Sequence, residues 1–96
     1  MTRDLRPTAG ARFQLERTEF VDGRATYRAT IFSPGGDFAA DAVLADNGDV
    51  SLGETGAPPE LHMRLLTIAK VVARDATKLR ADGMPPWPAR VLRWRK

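Results

Sequence analysis

Between Phe13 and Leu52 apolar residues recur at every second position, in four short runs; after them comes a run of about 24 residues in which they recur every three or four, the change falling near residue 57. The first rhythm is that of strands with one face buried and the second that of an amphipathic helix. The pattern predicts four antiparallel strands over 11–52 and a helix over 58–83, leaving a short segment at each end.

The strand registers follow from requiring apolar residues to meet apolar residues. Phe13 and Leu15 alternate with Arg12, Gln14 and Glu16, and Phe20 then breaks parity; a bulge between Glu16 and Glu19 would return it to the core face. Asp22-Gly23 is a hairpin turn signal. In the second strand Ala25, Tyr27, Ala29 and Ile31 share one face, and Arg24, Thr26, Arg28 and Thr30 the other. A turn at Ser33-Pro34-Gly35-Gly36 sets Ile31 against Phe38, Ala29 against Ala40, Tyr27 against Ala42 and Ala25 against Leu44. On the opposite face the same register places Arg28 beside Asp41, a favourable cross-strand pair. Asp46-Asn47-Gly48 closes the third hairpin, with Leu44 opposite Val50 and Ala42 opposite Leu52.

Residues 53–57 read as a linker, and Pro58 or Pro59 suits the first helical turn, where a missing N–H costs little. Leu61, Leu65, Ile68, Val72, Ala76 and Leu79 form a stripe, widened by Leu66, Ala69 and Ala73. Arg64, Thr67, Lys70, Arg74, Asp75 and Lys78 lie opposite, with Met63 and Val71 as apolar exceptions on the outer side. Gly83 suits the helix end, and Pro85-Pro86 prevents continuation. Such a helix is ~36 Å long against ~27 Å for a strand of about eight residues, so one end should overhang the sheet. The fold class expected is α+β: a four-stranded antiparallel meander followed by one long helix packed on one face.

The tail, residues 84–96, is basic, carries Trp87 and Trp94, and has no helical period. Arg90 to Arg95 suit either a short edge strand or an extended segment. Two tryptophans are rarely left in water, so the tail should return to the acidic part of its own sheet or a partner's. Residues 1–10 read as a flexible N-terminus.

Ninety-six residues make one domain, and 43% apolar with 28% charged residues is a globular composition. The chain has no cysteine, which removes disulfides, thiolate chemistry and cysteine-ligated metals. The N-terminal residues lack the apolar core of a secretion signal and no apolar run approaches the length of a membrane span, so a cytoplasmic location is expected. The net charge of +3 is unevenly spread: residues 13–58 carry three Arg against eight acids, a net −5, whereas residues 84–96 carry four bases and no acid. Twelve Arg to three Lys with abundant alanine also matches a GC-rich coding sequence.

Candidate chemistry is sparse. His62 is the sole histidine, with no second ligand at metal spacing, and reads as a boundary residue. Ser33 lies in a hairpin and lacks the strand–turn–helix context of a nucleophile. Gly53 and Gly56 precede a helix, but Pro58 and Pro59 remove amide donors and Glu60 opposes an anion. Asp37, Asp41, Asp46 and Asp49 lack the ligand set of a calcium loop. What rises above this background is a basic helix face (Arg64, Lys70, Arg74, Lys78) and the tail (Trp87, Arg90, Arg93, Trp94, Arg95, Lys96), since arginines interleaved with tryptophans can pair phosphates and stack bases.

The order of four strands and one helix is similar to that of the small dimeric transcriptional coactivators that bind single-stranded DNA. The likeness is one of architecture and covers no residue motif. In that family the sheet carries basic and aromatic binding residues, whereas here the strands are acidic and Tyr27 and Phe38 fall on the core face. The expectation is therefore a small non-enzymatic interaction module without a cofactor, self-associating as a homodimer. The alternative is nucleic-acid binding through the helix face and tail. Salt dependence separates the two, because phosphate binding releases counterions and an apolar interface does not.

Overall fold

The register that alternation demands is the one the chain adopts. The computed structural model describes residues 10–21 and 23–95, so the expectation for residues 1–10 falls almost wholly outside the described residues. Strands β1 (Ala11–Val21), β2 (Arg24–Ser33), β3 (Gly36–Ala45) and β4 (Val50–Leu52) form an antiparallel meander, followed by helix α1 (Pro59–Ala81). A further strand, β5 (Arg90–Arg95), pairs antiparallel with β1, giving the sheet order β4-β3-β2-β1-β5. The fold is α+β, and the basic tail is its fifth strand.

Each pair derived from the sequence for β2–β3 and β3–β4 is present, from Ile31 opposite Phe38 to Ala42 opposite Leu52. Arg28 Nη1 lies 3.3 Å from the Asp41 carboxylate. The bulge also lies where parity requires it. Arg17 pairs with Tyr27 and Glu19 with Thr26, so Thr18 is the extra residue, and its hydroxyl donates to the Thr26 carbonyl at 3.2 Å. Phe20 thereby returns to the helix side opposite Ala25, but it remains 58% exposed. It stands at the end of β1, where the covering layer is reduced to Arg80, Pro85, Pro86 and Trp87 around a small cavity. The Arg17 guanidinium stacks on the Phe20 ring, 4.5 Å from its centroid.

The helix buries Leu65, Ile68, Ala69, Val72, Ala73 and Ala76 against Phe13, Leu15, Ala25, Tyr27, Ala29, Ile31, Ala42 and Leu44 of the sheet. Alanine on both surfaces lets the helix approach closely. Leu61 and Leu79, at the ends of the stripe, are only partly covered, and Met63 and Val71 face solvent. The helix is two residues shorter at its C-terminus than expected and starts one residue later. Pro58 is the N-cap and Pro59 the first helical residue. It ends in a Schellman motif: Gly83 takes φ +73°, its N–H donates to the Arg80 carbonyl at 3.1 Å, and the Met84 N–H reaches the Leu79 carbonyl at 2.9 Å.

The expected overhang is absent. The long strands run to 10 or 11 residues, which is ~33–36 Å, against ~35 Å for a helix of this length. Each helix end is tied to the sheet side. At the start, His62 Nδ1 lies 3.1 Å from the Thr55 hydroxyl, which also accepts from the Ala57 N–H at 3.2 Å. At the finish, Arg80 pairs with Asp46 at 2.9 Å and the Thr77 hydroxyl donates to the Asp46 carbonyl. No helix of the described residues is long and apolar enough to cross a membrane.

Candidate interaction surface at the fifth strand

The segment between the helix and β5 is clamped by two polar side chains that β1 and β2 project toward the helix side. Arg17 continues the parity of Phe13 and Leu15 and lies opposite Tyr27. Its guanidinium donates to the Trp87 carbonyl at 2.7 Å, and its backbone N–H donates to the Ala89 carbonyl at 2.9 Å. The Tyr27 hydroxyl, on a fully buried side chain, donates to the Pro88 carbonyl at 2.7 Å. Three successive carbonyls are thus held in place, which suits a proline-rich segment with few N–H donors of its own. Burial pushes the Tyr27 phenol up to about 12, partly offset by the positive charge of Arg17. Trp87 is 3% exposed, and its indole N–H is buried without a hydrogen-bond partner.

Beyond the clamp, β5 lies along β1 with Arg90 opposite Glu16, Leu92 opposite Gln14 and Trp94 opposite Arg12. These even-numbered residues face away from the helix. Val91 and Arg93 face the helix side, where with Val72, Asp75 and Leu79 they line a groove of about 230 Å³ between α1 and β5. Arg12 lies over the Trp94 ring, 5.1 Å from its centroid. Leu92 and Trp94 remain 45% and 41% exposed, while Gln14 between them and β2 is buried.

Among the described residues, one side of the β5 backbone faces no strand. Antiparallel pairs alternate between those that exchange hydrogen bonds and those that do not. The bond from Arg17 to Ala89 makes 17/89 an exchanging pair, and so also 15/91 and 13/93. Val91 and Arg93 therefore direct N–H and C=O toward β1, and Arg90, Leu92 and Trp94 direct theirs outward. No described strand pairs with that outer side, where the Leu92 carbonyl accepts from the Arg93 guanidinium at 3.0 Å. The opposite edge, β4, is only three residues long.

The candidate cations do not form one surface. Lys70, Arg74 and Lys78 lie on the outward face of α1, with Arg74 3.8 Å from Asp75, and Arg64 sits on its flank 3.9 Å from Glu60. Arg90 and Trp94 lie on the other side of the sheet, Arg90 opposite Glu16, on the face that also carries Glu19, Asp37 and Asp41. Arg93 is on the helix side at the groove, Arg95 holds the last position of β5 beside Ala11, and Lys96 lies outside the described residues. Trp87 is a core residue. Leu92, Arg12 and Arg17 were absent from the sequence candidates. Arg17 was detectable, since its parity places it on the core face and a buried tyrosine hydroxyl beside it needs a partner. Leu92 and Arg12 become surface partners only through the β1–β5 register. His62, Ser33 and the glycines before α1 occupy the boundary, turn and linker positions expected of them: the Ser33 hydroxyl donates to the Gly36 carbonyl at 2.7 Å within the hairpin turn. No three described His, Asp or Glu residues are grouped to hold a metal. No protein-family model, curated protein or solved structure matches this chain.

Proposed function

We propose that this chain is a small non-enzymatic interaction module that self-associates as a homodimer. The observation that carries the reading is that, among the described residues, the β5 edge has no neighbouring strand and bears two half-exposed large apolar side chains, Leu92 and Trp94, on a sheet covered by a helix on one face. A row of unsatisfied strand amides and carbonyls is a template for another strand, and apolar side chains beside it favour burial. Sedimentation equilibrium at a chain concentration on the order of tens of micromolar tests it. The expected species has about twice the 10.6 kDa mass of the chain; a single species of 10.6 kDa overturns the reading.

Nucleic-acid binding is the second reading, supported by the stacking of Arg12 on Trp94 with Arg90 on the same face. It draws on a smaller surface than the combined helix and tail, because Arg90 and Trp94 lie across the sheet from the cations of α1 and from Arg93.

A further inference from the structure

We infer that the partner of β5 is β5 of a second copy, paired antiparallel about a two-fold axis at Leu92, so that two five-stranded sheets join into one of ten. This rests on the self-association proposed above and assigns its surface and register.

The argument is one of self-complementarity. A two-fold axis perpendicular to the sheet pairs residues whose numbers have a constant sum. Both residues of each pair face the same side, so that sum is even. The outward-directed amides belong to Arg90, Leu92 and Trp94, and these must be the exchanging pairs. With the axis at Leu92, Leu92 meets its own copy and Arg90 meets Trp94 of the other chain. All six outward N–H groups then find carbonyls, and the Leu92 carbonyl, which holds the Arg93 guanidinium at 3.0 Å, accepts its partner's N–H on its second lone pair. Leu92 packs on Leu92, and each Trp94 ring, already covered by Arg12 on its β1 side, receives Arg90 on its open side as a second cation–π contact. Each Arg90 keeps Glu16 opposite it on β1, which offsets its charge. On the helix side Val91 meets Arg93, whose aliphatic stem can cover it.

Moving the axis by one residue to Arg93 places two guanidiniums directly against each other and leaves Arg90 beyond the ladder, so like charges disfavour it. The strand itself is guarded by its arginines alone, and the proposed register places Arg90 on Trp94 and Arg93 on Val91. Arg90–Arg95 contains no proline and no lysine, and the β1 bulge at Thr18 lies outside the paired stretch. The sheet's uncovered face is a poorer candidate for the same role. It mixes the apolar Val21, Phe32 and Val43 with Arg24, Arg28, Glu16, Glu19, Asp37 and Asp41, and Arg28 is already paired to Asp41. An interface of one six-residue strand with its flanking side chains is small, so the dimer should dissociate in the micromolar range.

Two substitutions at a half-exposed position test the register without disturbing the fold. Leu92→Lys sets two ammonium groups against each other across the axis and should convert the dimer into a 10.6 kDa monomer with an unchanged melting temperature of the dilute chain. Leu92→Cys introduces the sole cysteine of the chain. Exchanging antiparallel pairs stand ~5.5 Å apart at Cα, within disulfide range, so mild oxidation with oxidised glutathione should give a covalent dimer in high yield. A Ser51→Cys control on β4 should not cross-link. If the parent protein is dimeric but Leu92→Lys stays dimeric and Leu92→Cys does not cross-link, the assigned edge is wrong while self-association stands. If the parent is monomeric, both fail together.

Discussion

At the scale of single residues, Tyr27 and Trp87 show how a polar atom is handled inside a small core. Tyr27 is the only tyrosine, and its neutral hydroxyl bonds the Pro88 carbonyl. Because burial raises its pKa from 10.0 to about 12, the fold prefers the protonated phenol. Its contribution is fully present below pH 10 and is lost as the pH rises toward 12. A titration of phenolate absorbance should therefore show no ionisation near pH 10 while the chain is folded, and the melting temperature should fall between pH 10 and 12. Tyr27→Phe should cost about 1 kcal/mol for the lost hydrogen bond and flatten that alkaline decline. Trp87 shows the opposite case, a buried N–H with no partner. Trp87→Ala should cost about 3–5 kcal/mol by opening a cavity, which in a domain of this size lowers the melting temperature by roughly 12 °C or more. Trp87→Phe should cost far less, because it also removes the unsatisfied donor. Thermal melts of the two variants separate packing from polar cost.

At the scale of elements, the helix and sheet depend on facing alanines. Ala69, Ala73 and Ala76 are fully buried on α1, as are Ala29 and Ala42 on the sheet. Ala73→Leu should destabilise by about 1–3 kcal/mol through overpacking, and Ile68→Asp should unfold the chain by burying an unpaired charge. Circular dichroism of these variants against the parent tests the helix face. A melt of Ile68→Asp within a few degrees of the parent would place that face elsewhere. The same two-face logic made the meander legible in advance. Each apolar residue of β2 and β3 has one acceptable partner, and a slip of one residue would turn the whole set to solvent.

At the scale of the whole molecule, net charge is a weaker guide than its placement. The +3 total conceals cations on both sides of the sheet: those of α1 and Arg93 on the helix side, and Arg90 on the uncovered side opposite Glu16. Counterion release grows with the number of phosphates contacted at once. A single-stranded oligonucleotide should therefore bind weakly at low salt and not measurably at physiological ionic strength, where electrostatic attraction decays within ~8 Å. Fluorescence anisotropy in a salt series measures this. Tight binding that survives physiological salt and disappears with Arg90→Glu would favour the nucleic-acid reading instead.

The amino-acid sequence alone determined what depends on local period and turn chemistry: the meander, its registers, the bulge before Phe20, the buried stripe of α1 and the glycine stop at residue 83. These follow because each choice is constrained by neighbours a few residues away, or by a hairpin of fixed length. Tertiary structure decided what depends on contacts between distant segments. The tail joins β1 rather than lying extended because Arg17 and Tyr27 hold carbonyls 61 to 72 residues further along the chain. That docking buries Trp87, leaves Trp94 and Leu92 half-exposed, and divides the cations between two faces. Six residues of basic and apolar character carry no period strong enough to announce a strand. A sheet edge of matching register, presented by β1, is what gives them one.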